Sequence, residues 1–239
     1  MDKAKQLIKL RDVILGWNEK INVTAIRDPE EFDRKNVRDS LSICGLPEYE
    51  AARTVLDLGT GGGFPGLPLA VCSPEKDFVL ADAVGKKLKV VQAAAQELGL
   101  VNVETVHARA EDMAKTKTHR ERYDLAVSRA VANMATLSEY CLPFVRVGGF
   151  FVAYKTEDAA EEIEAAKGAI AKLGGRILRI ERPSSNNDEP CSGHTLVVVE
   201  KISKTPKENW PAEFIVDYVR CYQYNEYLPT ITDGDIILK

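Results

Sequence analysis

The chain has 239 residues, 45% hydrophobic and 28% charged, with a net charge of −4. This is the make-up of a soluble globular protein with one α/β domain, alone or with an appendage. No apolar run reaches the ~18 residues needed to span a bilayer, and no signal-peptide core follows Met1, so the expectation is a cytoplasmic protein with no membrane partner. Cys44, Cys72, Cys141, Cys191 and Cys221 form no CxxC pair, and His107, His119 and His194 lie far apart in sequence. Neither a metal site nor a disulfide framework is expected. The acidic balance does not point to nucleic acid, but a local basic patch can act within an acidic protein.

In chain order, residues 1–18 carry Leu7, Ile8, Leu10, Ile14, Leu15 and Trp17 on an amphipathic helix. A polar loop follows from Asn18 to Ile26. Asp28-Pro29-Glu30-Glu31 is a helix start with an Asp cap, a proline in the first turn and a glutamate three residues after the cap. That helix turns Phe32, Val37, Leu41 and Ile43 inward and ends before Gly45-Leu46-Pro47. Arg27, Arg34, Lys35 and Arg38 form either a solvated face or a basic lip for an anionic substrate. Residues 1–50 thus read as a helical appendage, 51–205 as a nucleotide-binding domain and 206–239 as a separate tail.

From Thr54 the chain alternates. Strands are expected at Thr54–Leu58, Asp77–Asp82, Val103–His107, Tyr123–Ser128 and Phe150–Tyr154. Helices are expected near Pro65–Val71, Gly85–Leu98, Met134–Leu142 and Glu157–Leu173. Two further strands, Arg176–Glu181 and Thr195–Glu200, flank a long polar loop, which allows one of them to run antiparallel. Five βα units and this closing pair imply an α/β fold with a seven-stranded, mostly parallel, Rossmann-like sheet.

The chemistry gathers after the first strand, where five glycines fall between Gly59 and Gly66. Positive φ and the lack of Cβ atoms let a ligand approach the backbone there, beside the free N–H groups of the next helix. Two readings fit. Gly61-Gly62-Gly63-Phe64-Pro65-Gly66 matches the dinucleotide pattern GxGxxG. Asp57, Gly59, Gly61 and Gly63 match DxGxGxG, with a carboxylate suited to an ammonium and poorly placed beside a pyrophosphate. S-adenosylmethionine (AdoMet) has the ammonium and lacks phosphate, so it is preferred over NAD.

Ligands of open parallel sheets lie beyond the carboxyl ends of the strands, so residues there are the next candidates. Asp82, 23 positions after Gly59, is either a ribose-hydroxyl acceptor or a helix cap. A backbone N–H of Ala110 or Glu111 faces an adenine edge or starts a solvated helix. Arg129 binds a carboxylate or RNA phosphate, or forms a structural salt bridge. Lys155 holds substrate or is simply exposed. Phe64 and Tyr154 are stacking surfaces or core.

Several of these stretches resemble one family. They are Asn22–Glu31, Asp39-Ser40-Leu41, Val55–Ala70 with its Phe64-Pro65-Gly66-Leu67-Pro68, Ala108–Glu111, and Ser128-Arg129-Ala130-Val131-Ala132. Together they resemble the bacterial small-subunit ribosomal RNA guanine-N7 methyltransferases known as RsmG or glucose-inhibited division protein B. The likeness covers residues 15 to about 205. It implies a class I methyltransferase fold, AdoMet as donor, a guanine of 16S ribosomal RNA as acceptor, and AdoMet contacts at Gly59, Phe64, Ala110, Glu111 and Arg129. The chain departs from the family pattern in Lys35-Asn36, where Lys-His is usual, and in Lys155-Thr156, where Lys-Gly is usual. It departs again in a longer, aromatic, acidic tail from Glu208, where a short basic one is usual; a helix is expected in that tail from Pro211 to Tyr222.

Guanine N7 has a lone pair and no proton, so its methylation requires orientation rather than a general base. No catalytic residue, no His–Asp or Lys catalytic pair and no metal is therefore expected. The anticipated partner is 16S ribosomal RNA or the small-subunit particle, contacted through Arg27, Arg34, Lys35, Arg38, Arg129 and Lys155 and bound by a monomer. An NAD-linked oxidoreductase, a methyltransferase for another RNA, a protein or a small molecule, and a protein that merely retains AdoMet are the alternatives.

Overall fold

The computed structural model describes residues 2–183 and 194–206. The chain divides into the units Met1–Thr205 and Pro206–Lys239. The tail after Pro206, with the helix expected from Pro211 to Tyr222, lies outside the described residues.

Helix α1 (Lys3–Asn18) forms on its apolar stripe, with Leu10 and Ile14 fully buried. Its Lys3 and Lys9 donate to the carbonyls of Cys72 and Glu97 at 2.6 and 2.5 Å. Both carbonyls lie in the last turns of later helices, where a cation complements the helix dipole. Asn18 shapes the polar loop that follows, accepting from Val23 N and Thr24 N and donating to Thr24 O.

Asp28 caps α2 (Pro29–Phe32) by accepting from Glu31 N at 2.8 Å. The chain then continues through a π-helical turn, Asp33–Arg38, into α3 (Asp39–Leu41). Next comes α4 (Pro47–Ala51), which the sequence reading does not contain. It buries Tyr49, whose hydroxyl meets Ser73 Oγ at 2.8 Å. It also presents Glu48 to both Nη atoms of Arg179 at 2.6 Å each.

The alternating elements then follow the sequence closely: β1 (Thr54–Leu58), α5 (Gly66–Cys72), β2 (Asp77–Asp82), α6 (Gly85–Leu98), β3 (Val103–His107), α7 (Ala110–Met113) and β4 (Tyr123–Arg129). After these come α8 (Met134–Cys141), β5 (Val145–Lys155), α9 (Ala160–Lys172), β6 (Gly175–Glu181) and β7 (Thr195–Lys201). Strand β5 begins five residues earlier than expected. Gly148-Gly149 is an irregularity inside it, between the pairings Tyr123–Val145 and Leu125–Phe150.

The sheet order is β3-β2-β1-β4-β5-β7-β6. Strands β1 to β5 pair in parallel, and β7 runs antiparallel to both β5 and β6. Two consequences place the site. The order reverses between β1 and β4, which opens a crevice at their carboxyl ends. Because β7 is antiparallel, its first residues return to that same edge.

Candidate active site

The glycine loop is pinned to β2 as it leaves β1: Gly59 N and Thr60 N both donate to Ala81 O, at 2.8 and 3.1 Å. Gly59, Gly61 and Gly63 have φ of 72°, 58° and 97°, the left-handed region that side chains resist. A Cβ on Gly59 would stand 2.5 Å from Val131 Cγ2.

Two carboxylates hold this loop. Asp82 accepts from Gly61 N at 2.8 Å and Val84 N at 2.7 Å, tying the ends of β1 and β2 together. Each of its oxygens keeps accepting capacity, and the side chain lines the cleft. The structure places Asp57 differently from the ligand contact expected of it. Leu58 lines the cleft, and successive strand residues point to opposite faces, so Asp57 points away from it. Asp57 is 0% exposed. Its Oδ2 accepts from Thr60 Oγ1 at 2.6 Å and Gly66 N at 2.8 Å, the first residue of α5. Its Oδ1 is buried with no hydrogen-bond partner. Burial pushes its pKa up to about 6 against the opposing pull of those two donors.

The cleft has a volume of about 340 Å³, within the ordinary range for small-molecule sites. Of the residues the sequence points to, Gly59, Gly61, Asp82, Ala110 and Glu111 line it. Gly63, Phe64 and Arg129 stand behind it. Phe64 is buried edge-on against Phe32, ring centroids 5.4 Å apart, and its own face carries the Arg129 guanidinium at 5.7 Å. The Phe64–Pro65 peptide is cis.

Sequence reasoning missed Lys87, Arg109, Ala130, Val131 and Tyr140 in the lining. Ala130 has φ of 56°, an uncommon conformation for a residue with a Cβ, of the kind that gathers at functional sites. No local pattern announces it. Tyr140 reaches the cleft from α8, and only the tertiary fold brings it there.

Arg129 is held by three bonds from the N-terminal helices. Nη1 donates to Asp39 Oδ2 at 2.7 Å and Lys35 O at 2.9 Å, and Nη2 donates to Asn36 Oδ1 at 3.0 Å. The buried Asp39 meets His194 Nδ1 with its other oxygen at 2.8 Å. Burial alone would raise the pKa of Asp39, but His194 and Arg129 together hold it below the usual carboxylate value. Tyr154 completes the cluster, its ring edge-on to His194 and its hydroxyl donating to Ser40 O at 2.7 Å. Asp39 and His194 thus form a pair that the sequence reading does not contain. It joins residues 155 positions apart, brought together by the antiparallel return of β7.

The other basic candidates are dispersed. Arg27, Arg34 and Arg38 are exposed. Lys35 pairs with Glu31 at 2.6 Å. Lys155 is engaged by Glu162 at 2.6 Å and Ala132 O at 3.0 Å. Among the described residues no cluster of His, Cys, Asp and Glu could hold a metal, and no helix is long and apolar enough to cross a membrane.

A glycine loop after β1, an acidic residue ending β2 and a seven-stranded sheet with an antiparallel β7 define a class I methyltransferase fold. Solved structures share it at low identity. One is a putative O-methyltransferase from Klebsiella pneumoniae, with TM-score 0.55, 14% identity, and coverage of 81% of this chain and 90% of that one. Another is the cofactor-bound Rv0187 from MTB, with TM-score 0.57, 18% identity, and the same 81% and 90% coverage. The chain belongs to the GidB family, rRNA small subunit methyltransferase G, whose profile matches residues 3–189. Relatives named ribosomal RNA small subunit methyltransferase G include one from Clostridium novyi, 43% identical over 206 residues, covering 86% of this chain and 84% of the relative. One from Alkaliphilus metalliredigens is 43% identical over 208 residues, covering 86% and 85%. Membership in this family decides for a methyltransferase over the oxidoreductase suggested by GxGxxG.

Proposed function

We propose that the protein transfers a methyl group from AdoMet to N7 of a guanine in 16S ribosomal RNA. The observation that carries this reading is the cleft itself: glycines that exclude side chains, one acidic strand end and the first residues of α7 converge at the switch point, in a chain of the rRNA methyltransferase G family. The donor fits what is present. Asp82 has lone pairs left for ribose hydroxyls. Ala110 and Glu111 open α7, where the first N–H groups have no intrahelical partner and are available to an adenine edge. Arg129 has five N–H donors and spends three on the protein, leaving two for a carboxylate. Asp57 acts one layer back, by fixing the turn through Thr60 and Gly66.

When bound, AdoMet supplies a methyl group made electrophilic by its sulfonium. The protein's part is to position: the loop backbone and Asp82 set the donor, and Arg129, clamped by Asp39 and Asn36, sets its carboxylate end. An N7 lone pair carries no proton, so no side chain has to accept one. Orientation of this kind is worth up to roughly 7–11 kcal/mol. The Asp39–His194 pair is then a clamp on Arg129 rather than a proton relay. The test is transfer of tritiated methyl from AdoMet to 16S ribosomal RNA, free or in the small-subunit particle, that lacks its own modification. Label on a single guanine as 7-methylguanine is expected. Label on another atom or base, or NAD binding in place of AdoMet, would overturn the reading.

A further inference from the structure

The basic charge around the cleft is not distributed as the sequence suggests. Between residues 27 and 38, Arg27, Arg34, Lys35 and Arg38 alternate with Asp28, Glu30, Glu31 and Asp33, so the segment has no net charge. The recess on that surface mixes Arg34 and Arg38 with all four of those acids.

The other flank of the cleft differs. Lys86, Lys89 and Gln92 follow at three-residue spacing and share one face of α6. Thr105 and His107, two apart on β3, share one face of the sheet. With Gly85 and Leu88 they line a recess of about 530 Å³ whose wall contains no carboxylate. Among the described residues neither Lys86 nor Lys89 has a salt-bridge partner. The recess adjoins the cleft: Lys87, between the two lysines in sequence, lines the cleft, and His107 Nε2 donates to the carbonyl of Ala83, which also lines it.

A second observation points to an anion. The first turn of α6 has no acidic residue and begins Gly85-Lys86-Lys87-Leu88-Lys89. Cations at a helix N-terminus oppose its dipole, and like charges three apart repel. Such a local conflict, in a helix otherwise well formed and closed by Gly99, is expected where function demands it.

We propose that this recess binds phosphodiester groups of the RNA strand flanking the target base, with Lys86 and Lys89 supplying charge and Gln92 and Thr105 hydrogen bonds. The inference rests on the RNA substrate proposed above. It is tested with the full-length K86E/K89E and K86Q/K89Q variants, assayed for methyl transfer to unmodified 16S ribosomal RNA and for RNA binding across a salt series. The charge reversal should raise KM for RNA at least roughly tenfold, leaving kcat and AdoMet affinity within about twofold of wild type. The neutral variant should flatten the slope of log K against log salt by about 1.4, two single-stranded phosphate contacts. K86E/K89E should also melt no lower than wild type, because glutamates suit the α6 dipole. RNA KM and salt slope unchanged in both variants would overturn the recess assignment alone. A wild-type protein that methylates no RNA would overturn the substrate reading, and the recess with it.

Discussion

At the β1–β2 end of the cleft the working surface is backbone. Gly59 and Gly61 take left-handed conformations there, and the two nearby carboxylates spend hydrogen bonds on the loop's own N–H and O–H groups. At the β4 end the cleft is backed by a side chain, Arg129, held by partners 90 or more positions away in sequence. The first end should fail when atoms are added, and the second when charge is taken away.

Removing charge at the second end gives the largest expected effect. Asp39→Ala leaves Arg129 and His194 facing a buried site without their common acceptor. Loss of one partner of a buried pair costs about 3–5 kcal/mol, so denaturant unfolding should show a shift of that size. Asp39→Asn keeps an acceptor for one partner and should fold better than the alanine variant, yet still raise KM for AdoMet. If Asp39→Ala is as stable as wild type, Arg129 is not held in the way described.

Asp57 offers the next largest effect, and its sign is unusual for a carboxylate. The folded group keeps its proton to about pH 6, against a reference value of 3.8. Between these values the native state binds more protons than the unfolded state. Its contribution to stability therefore falls as pH rises through that window, and the full penalty, roughly 3 kcal/mol, stands above pH 6. Asp57→Asn removes the titration while keeping an acceptor for Thr60 and Gly66. Relative to wild type, the variant should gain roughly 2 kcal/mol in stability on going from pH 4 to pH 7.5, measured by urea unfolding at both. Asp39, Glu48 and Asp124, all held below their usual values, lose stability in the opposite, acidic direction. They are common to both proteins and cancel in the difference. A variant that tracks wild type across the range would show that folding does not raise the pKa of Asp57.

The two ends also differ in how far the sequence revealed them. The strands and helices of the alternating core are legible because each is a local periodic pattern. The glycine loop is legible because positive φ has few residue solutions. What Asp57 does was misread for a local reason as well: the alternation that brings Leu58 to the cleft turns Asp57 toward α5. The β4 end was legible only as a lone arginine at a strand end. Its clamp needs the π-helical turn to present Lys35 O and Asn36, and an antiparallel β7 to return His194. Neither has a local signature. The three linked residues, Asp39, Arg129 and His194, belong to segments that only the complete sheet order brings together.

Adding atoms at the first end tests it directly. Gly59→Ala places a Cβ 2.5 Å from Val131 Cγ2 in a left-handed backbone. AdoMet affinity should fall by roughly 100-fold, about 2.8 kcal/mol, with the fold retained. Gly59→Arg should abolish binding. Because Val131 supplies the collision, Gly59→Ala should cost less affinity in a Val131→Ala background than in wild type. An equal cost in both backgrounds would locate it in the backbone conformation rather than in the contact.

The smallest effect is expected outside both ends, and it bounds how much surface charge alone matters. Lys35 pairs with Glu31 at 2.6 Å across one helical turn, both side chains substantially exposed. Such pairs are worth about 0.3–0.5 kcal/mol, so Lys35→Ala should shift the unfolding midpoint barely beyond error, and less still at high salt. The carbonyl of Lys35, not its ammonium, is what Arg129 uses, so AdoMet affinity should also hold. The substitution leaves Glu31 and its acidic neighbours in place beside Arg34 and Arg38. A loss in RNA affinity of twofold or less is therefore expected, well below that of the α6 lysines. A tenfold loss would move the main RNA contact back to the N-terminal helices and break the contrast between the two flanks of the cleft.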